Sequence, residues 1–147
     1  MTTGEVSSAY KSEHPEGSRK LRILVVDDER DMVLTLATLL RDEGHLVEGV
    51  YTAKEVMPEV KNFDPDVVLV DIALPDGSGY AVAEQIRRRA GPHRPMLIAL
   101  TGIYRRPPHS QLSRVVGCDH FLTKPFEIHQ LLELIAPLTL ESGPAPR

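Results

Sequence analysis

"ILVVDDERDM", residues Ile23 to Met32, decides the fold. Its first half is aliphatic and partly β-branched, the composition of a strand interior. It then runs into four acids within five positions, Asp27, Asp28, Glu29 and Asp31 around Arg30. An apolar run that stops on adjacent carboxylates is a strand ending at a polar rim. The pair is either a local helix cap or half of a cation site.

Outward from this stretch the pattern repeats. Leu21–Val26, His45–Tyr51, Asp66–Asp71, Met96–Leu100 and His120–Thr123 are short apolar runs of strand length. The segments between them carry helical spacing. Met32, Val33, Leu36, Leu39 and Leu40 recur at intervals of three and four before Gly44, a helix-ending glycine. Thr52 with Glu55 three residues later forms a capping box for a second helix, which Pro58 should kink. A third helix is expected over Tyr80–Arg89 on Val82, Ala83 and Ile86. A fourth begins near Pro107–Pro108 and uses Leu112, Val115 and Val116. The last uses Ile128, Leu131, Leu132 and Ile135.

Strands that are apolar throughout, alternating with helices, specify an α/β fold: a doubly wound five-stranded parallel sheet with helices on both faces. The domain should span residues 21–140. Residues 1–20 and 141–147 are polar and lack the apolar surface to offset ordering, so they are expected to be flexible tails. The 147 residues suit one domain, with 41% apolar and 26% charged residues. No stretch has the length of a membrane span, and the first twenty residues hold no secretory apolar core, so a cytoplasmic protein is expected. A net charge of −4 argues against a direct nucleic-acid binder. The lone Cys118 excludes an internal disulfide and reads as a small loop or core residue. The six histidines show no metal spacing and read as surface or structural groups. Arg87–Arg89 read as a solvated helix end, and Arg105 and Arg106 as loop cations available to a partner.

In such sheets ligands sit at the carboxyl ends of the strands. Those ends carry Asp27 and Asp28, then Asp71, Thr101 and Lys124. Each has an ordinary reading alone: Asp28 as a helix cap, Asp71 and Thr101 as turn formers, Lys124 as a solvated cation. Together they are the groups one chemistry needs. Three carboxylates hold a hard divalent cation such as Mg2+, Asp71 attacks a phosphoryl donor, and Lys124 and Thr101 contact phosphoryl oxygens as a charge and a hydroxyl donor.

The order and spacing of "VVDDE", "VLVDIALPDGSGY", "LIALTG" and "FLTKPF" resemble the receiver domain of two-component response regulators over Leu21 to Leu140. The resemblance implies the flavodoxin-like receiver fold of five βα units, with Asp71 as phospho-acceptor, Asp27 and Asp28 as the acidic magnesium pair, and Lys124 and Thr101 as the remaining site residues. It implies that the Ala73 backbone carbonyl joins the magnesium, that Lys124–Pro125 is a cis bond, and that Phe121 swings with Thr101 as a switch. The phosphoryl donor would be a sensor histidine kinase or a histidine phosphotransfer protein. The output face would be the fourth helix, fifth strand and fifth helix, binding a downstream target protein, as a monomer or a phosphorylation-dependent dimer. The chain would assist its own phosphorylation and dephosphorylation without being an enzyme in the turnover sense.

Within that resemblance a stand-alone receiver is expected, acting as a diffusible regulator or as a relay carrier, which the sequence does not separate. A receiver of a hybrid histidine kinase remains the alternative, since "GCDHFLTKPF" also resembles such domains. Apolar Ala73 and Ile103, placed where a polar side chain would orient attacking water, suggest a long-lived aspartyl phosphate. An aspartyl-phosphate phosphatase needs an acid two residues after the nucleophile, where Ala73 stands. A flavodoxin-like cofactor binder needs a phosphate cradle after the first strand, where the acids of "DDERD" would repel it.

Overall fold

The computed structural model describes residues 18–89, 94–102 and 117–140. Residues 1–17 and 141–147 of the expected tails lie outside the described residues. So do the expected fourth helix with Pro107, Pro108, Leu112, Val115 and Val116, and the positions of Ile103, Arg105 and Arg106.

Five strands form one parallel sheet: β1 (Arg22–Val26), β2 (Leu46–Val50), β3 (Val67–Asp71), β4 (Met96–Gly102) and β5 (His120–Lys124), in the order β2-β1-β3-β4-β5. Four helices are described: α1 (Arg30–Asp42), α2 (Val56–Phe63), α3 (Gly79–Arg89) and α4 (Ile128–Thr139). The residues of β3 are all buried, as an interior strand covered on both faces requires. Successive side chains of β1 go to opposite layers. Ile23 and Val25 pack with Val33, Leu36 and Leu40 of α1 and Leu131 and Ile135 of α4. Leu24 and Val26 pack with Val56 of α2 and Val82, Ala83 and Ile86 of α3. Each such Leu, Ile or Val contributes about 1.5–3 kcal/mol on full burial, so the two layers outweigh any single polar contact in the fold.

Local chemistry sets the ends. Gly44 closes α1 at φ +98°, a conformation costly for a residue with a Cβ. Glu55 accepts the Thr52 N–H at 3.1 Å in a capping box, as expected from the sequence. The turn it starts is a 3-10 helix, Ala53–Glu55, that passes into α2. Asp76 adds a second cap, accepting the Ala53 N–H at 2.6 Å and the Lys54 N–H at 3.2 Å.

Three expectations are corrected. Pro58 falls in the first turn of α2, where its missing N–H has no helical acceptor to lose, so it starts the helix instead of kinking its middle. Leu39 is 39% exposed, and Ala37 completes the buried face of α1. Leu39 instead lines a groove of about 390 Å³ with Met32, Leu36, Phe126 and Ile128. Arg87 is not a solvated helix end. It donates to the carbonyls of Pro95 at 2.9 Å and Gly117 at 3.1 Å and pairs with Asp119 at 2.6 Å. Asp119 also accepts the Leu97 N–H at 2.8 Å, so this one arginine ties α3 to the starts of β4 and β5.

Arg19, within the expected N-terminal tail, contacts the fold. The Arg19 N–H donates to Thr139 O at 2.9 Å, and its guanidinium pairs with buried Asp66 at 2.8 Å. Among the described residues no helix is long and apolar enough to cross a membrane.

Candidate functional site

The strand order reverses direction between β1 and β3, which have neighbours on opposite sides. That switch point opens a crevice at their carboxyl ends, and the acids lie there. Asp27 follows β1 and is fully buried, Asp28 is exposed, and Asp71 ends β3 at 6% exposure. One carboxylate oxygen from each lies within 4.8 Å of the others.

Backbone contacts aim these groups. Asp27 Oδ1 accepts the Glu29 N–H at 3.0 Å, and Asp71 Oδ1 accepts the Ala73 N–H at 2.9 Å. Ala73 itself pairs with Ser78 in a short antiparallel hairpin, Ala73–Leu74 with Gly77–Ser78. Gly79 then begins α3 against the end of β3, its N–H donating to Ile72 O at 3.0 Å. A Cβ there would stand 2.5 Å from Ile72 Cα and closer still to Asp71 O, so only glycine fits behind the acceptor.

Lys124 ends β5, and its peptide bond to Pro125 is cis, as the resemblance implied. Its ammonium lies 2.7 Å from Asp27 Oδ2, 2.9 Å from Glu29 Oε1 and 3.2 Å from Asp71 Oδ2. The buried Asp27 Oδ2 is thus held by the ammonium as an ion pair inside the site. Thr101, 1% exposed, sits in β4 opposite Thr123, and its Oγ1 has no hydrogen-bond partner. Phe121 is half-buried in β5 opposite Ala99.

Burial pushes the Asp27 carboxyl up to about 6 from its ordinary 3.8; the neighbouring Asp71 charge adds to the rise, while Lys124 and the Glu29 N–H oppose it. Burial also disfavours the Lys124 ammonium, but its bonds to Asp27 and Glu29 and the charge of Asp71 outweigh that, and its pKa is raised. Lys124 is therefore a fixed cation at neutral pH. Three converging carboxylates form a donor set of hard oxygens that fits Mg2+.

The structure thus brings Asp27, Asp28, Asp71 and Lys124 together, with Thr101 and Ala73 on the adjoining strand and turn. The capping reading of Asp28 does not hold: the N-cap of α1 is Glu29, whose side chain makes no cap bond. Sequence reasoning missed Glu29 as a partner of Lys124 and Asp76 as a helix cap. The available signals were a third acid directly after the pair and an aspartate in "LPDG".

This site and sheet belong to a known class. Residues 23–136 match the model of the response regulator receiver domain, and the chain belongs to that family. Among proteins it resembles is the transcriptional regulatory protein TcrA of Mycobacterium tuberculosis, 32% identical over 131 residues, covering 86% of this chain and 49% of TcrA. The regulatory protein VanR of Enterococcus faecium is 33% identical over 119 residues, covering 78% of this chain and 47% of VanR. The chain therefore spans about half the length of these relatives. Its fold is similar to a CheY-like receiver domain from Methanospirillum hungatei, with a TM-score of 0.72 and 32% identity, covering 82% of this chain and 94% of that one.

Proposed function

We propose that this chain accepts a phosphoryl group on Asp71 from a histidine of a sensor kinase or phosphotransfer protein, with Mg2+, and passes the change on through protein binding. The observation that carries the reading is the convergence of Asp27, Asp28, Asp71 and Lys124 at the β1/β3 switch point. Mg2+ bound by Asp27, Asp28, Asp71 and the Ala73 carbonyl would neutralise the carboxylates and the developing phosphoryl charge. Asp71 Oδ2 is the nucleophile, because Oδ1 is held by the Ala73 N–H and Oδ2 faces Lys124. In the transfer the Asp71 O–P bond forms as the donor's N–P bond breaks, and the donor imidazole keeps the proton it needs to leave neutral. Lys124 then holds a phosphoryl oxygen as a point charge.

Thr101 has a buried hydroxyl without a partner, which supports its role as the group that turns to the phosphoryl oxygen. Phe121, two residues before Thr123 in the strand paired with β4, follows that movement and changes the face that a downstream protein reads. The chain works in the cytoplasm as an acceptor and switch that assists its own phosphorylation; it is not a turnover enzyme. This chain spans about half of TcrA, named a transcriptional regulatory protein, and of VanR, named a regulatory protein, and the same receiver chemistry serves a diffusible regulator, a relay carrier or a part of a larger regulator.

The test is intact mass after incubation with acetyl phosphate, with and without Mg2+, for wild type and Asp71→Asn. One magnesium-dependent phosphoryl adduct in the wild type, absent in the variant, is expected. Equal adduct in Asp71→Asn would reject the assignment.

A further inference from the structure

Glu29 occupies the N-cap position of α1 with extended backbone, φ −81° and ψ 94°, yet its carboxylate makes no cap hydrogen bond. Aspartate, asparagine, serine or threonine at this position accepts the free N–H groups of the first turn; the longer glutamate leaves them and is free to reach elsewhere. Here it reaches across the rim to Lys124, 95 residues away in the chain, at 2.9 Å. Asp27 directs it there: by accepting the Glu29 N–H at 3.0 Å, it fixes the backbone from which the side chain leaves.

The Lys124 ammonium has three donors and three carboxylate partners. To hold a phosphoryl oxygen it must give one up. Asp27 is fully buried with its second oxygen beside the lysine, and Asp71 is the acceptor itself. Glu29 is the partner that water can take, its side chain being 62% exposed. Both Glu29 and Lys124 also line the mouth of the groove between α1 and Pro125–Ile128, so this ion pair bridges the two walls beside the acceptor.

We propose that Glu29 is a latch: a positioning residue that occupies Lys124 in the resting protein and is displaced from it by the incoming phosphoryl group. The inference rests on the phospho-acceptor reading of Asp71. Glu29 touches neither donor nor acceptor and acts through Lys124 alone. Because exposed ion pairs are weak, about 0.2–1 kcal/mol, the latch sets the phosphorylation rate by about 1.4- to fivefold and does not abolish it.

Two substitutions separate the latch from simple charge repulsion. Glu29→Gln removes the charge, whereas Glu29→Asp keeps it on a side chain too short to span the rim. The full chain is phosphorylated with acetyl phosphate in Mg2+ and followed by intact mass. Separately, Lys124 is labelled with an amine-reactive ester in the absence of Mg2+ and quantified by peptide mass. The latch predicts phosphorylation about threefold faster in both variants, within the weak-pair range. It also predicts faster Lys124 labelling in both. Acceleration in Glu29→Gln alone overturns the latch in favour of charge repulsion, and no acceleration in either overturns it outright. If the wild type takes no phosphoryl group, the functional reading fails first, and labelling decides the resting contact: an unchanged Lys124 rate in both variants overturns the latch as well.

Discussion

Replacing Gly79 with alanine tests how tightly the acceptor is built. The new Cβ would lie 2.5 Å from Ile72 Cα and 2.9 Å from Asp71 C, against an ordinary contact of 3.4–4 Å. These neighbours are backbone atoms in the strand that ends on the acceptor, so no flexible side chain can turn aside. Relief requires α3 or the end of β3 to move by about 1 Å, and such overpacking costs about 1–3 kcal/mol. With a urea slope of about 1.5 kcal/mol per molar, the midpoint should fall by about 1–2 M. A displacement of about 1 Å at a reacting group also costs on the order of a hundredfold in rate. Acetyl phosphate labelling of Asp71 should therefore drop far more than stability alone explains, measured where Gly79→Ala is still fully folded. Gly77→Ala is the control, since its Cβ would meet only the Ala53 side chain at 3.3 Å. An unchanged urea midpoint together with unchanged labelling in Gly79→Ala would refute the reasoning.

Asp27 carries a pH dependence. Its carboxyl, raised to about 6 from 3.8, keeps a proton in the folded protein that the unfolded chain has already released between those values. Metal-free stability therefore declines as pH rises through that window, which urea melts at fixed pH will show. The same proton competes with Mg2+, so apparent affinity should fall by about tenfold from pH 7 to pH 5, as read by titration calorimetry. Arg87→Leu should lower stability by about 1–3 kcal/mol in urea, because it leaves the Pro95 and Gly117 carbonyls without their donor and removes the ion pair to Asp119, which keeps only the Leu97 N–H. Burial pushes the half-buried Cys118 thiol up to about 11, so it should react slowly with iodoacetamide at pH 8 and fully once unfolded in urea.

What the sequence made legible follows from range. The strands could be read because both faces of the sheet are covered, which makes Ile23–Val26 and Val67–Val70 apolar without interruption. Their carboxyl ends then located Asp27, Asp71, Thr101 and Lys124 without any knowledge of packing. Arg87 could not be read this way. Its acceptors Gly117 and Asp119 lie 30 and 32 residues further on, and only the assembled sheet sets them beside α3. Leu39 satisfies the helical period but points into an open groove, a distinction that periodicity does not make. Pro58 stands mid-helix if the helix starts at the Thr52 cap, but the 3-10 turn before it shifts the start of α2 by three residues. Glu29 looked like one more acid at a helix start; its role depends on a lysine from the other end of the chain.

The central claim is that Asp71, and no other carboxylate of the cluster, carries the phosphoryl group. Borohydride reduces an aspartyl phosphate to homoserine, which peptide mass locates to one residue. After acetyl phosphate and Mg2+, homoserine at position 71 alone is the predicted result. Homoserine at position 27 or 28, or a phosphoryl adduct that yields none at position 71, would contradict the account.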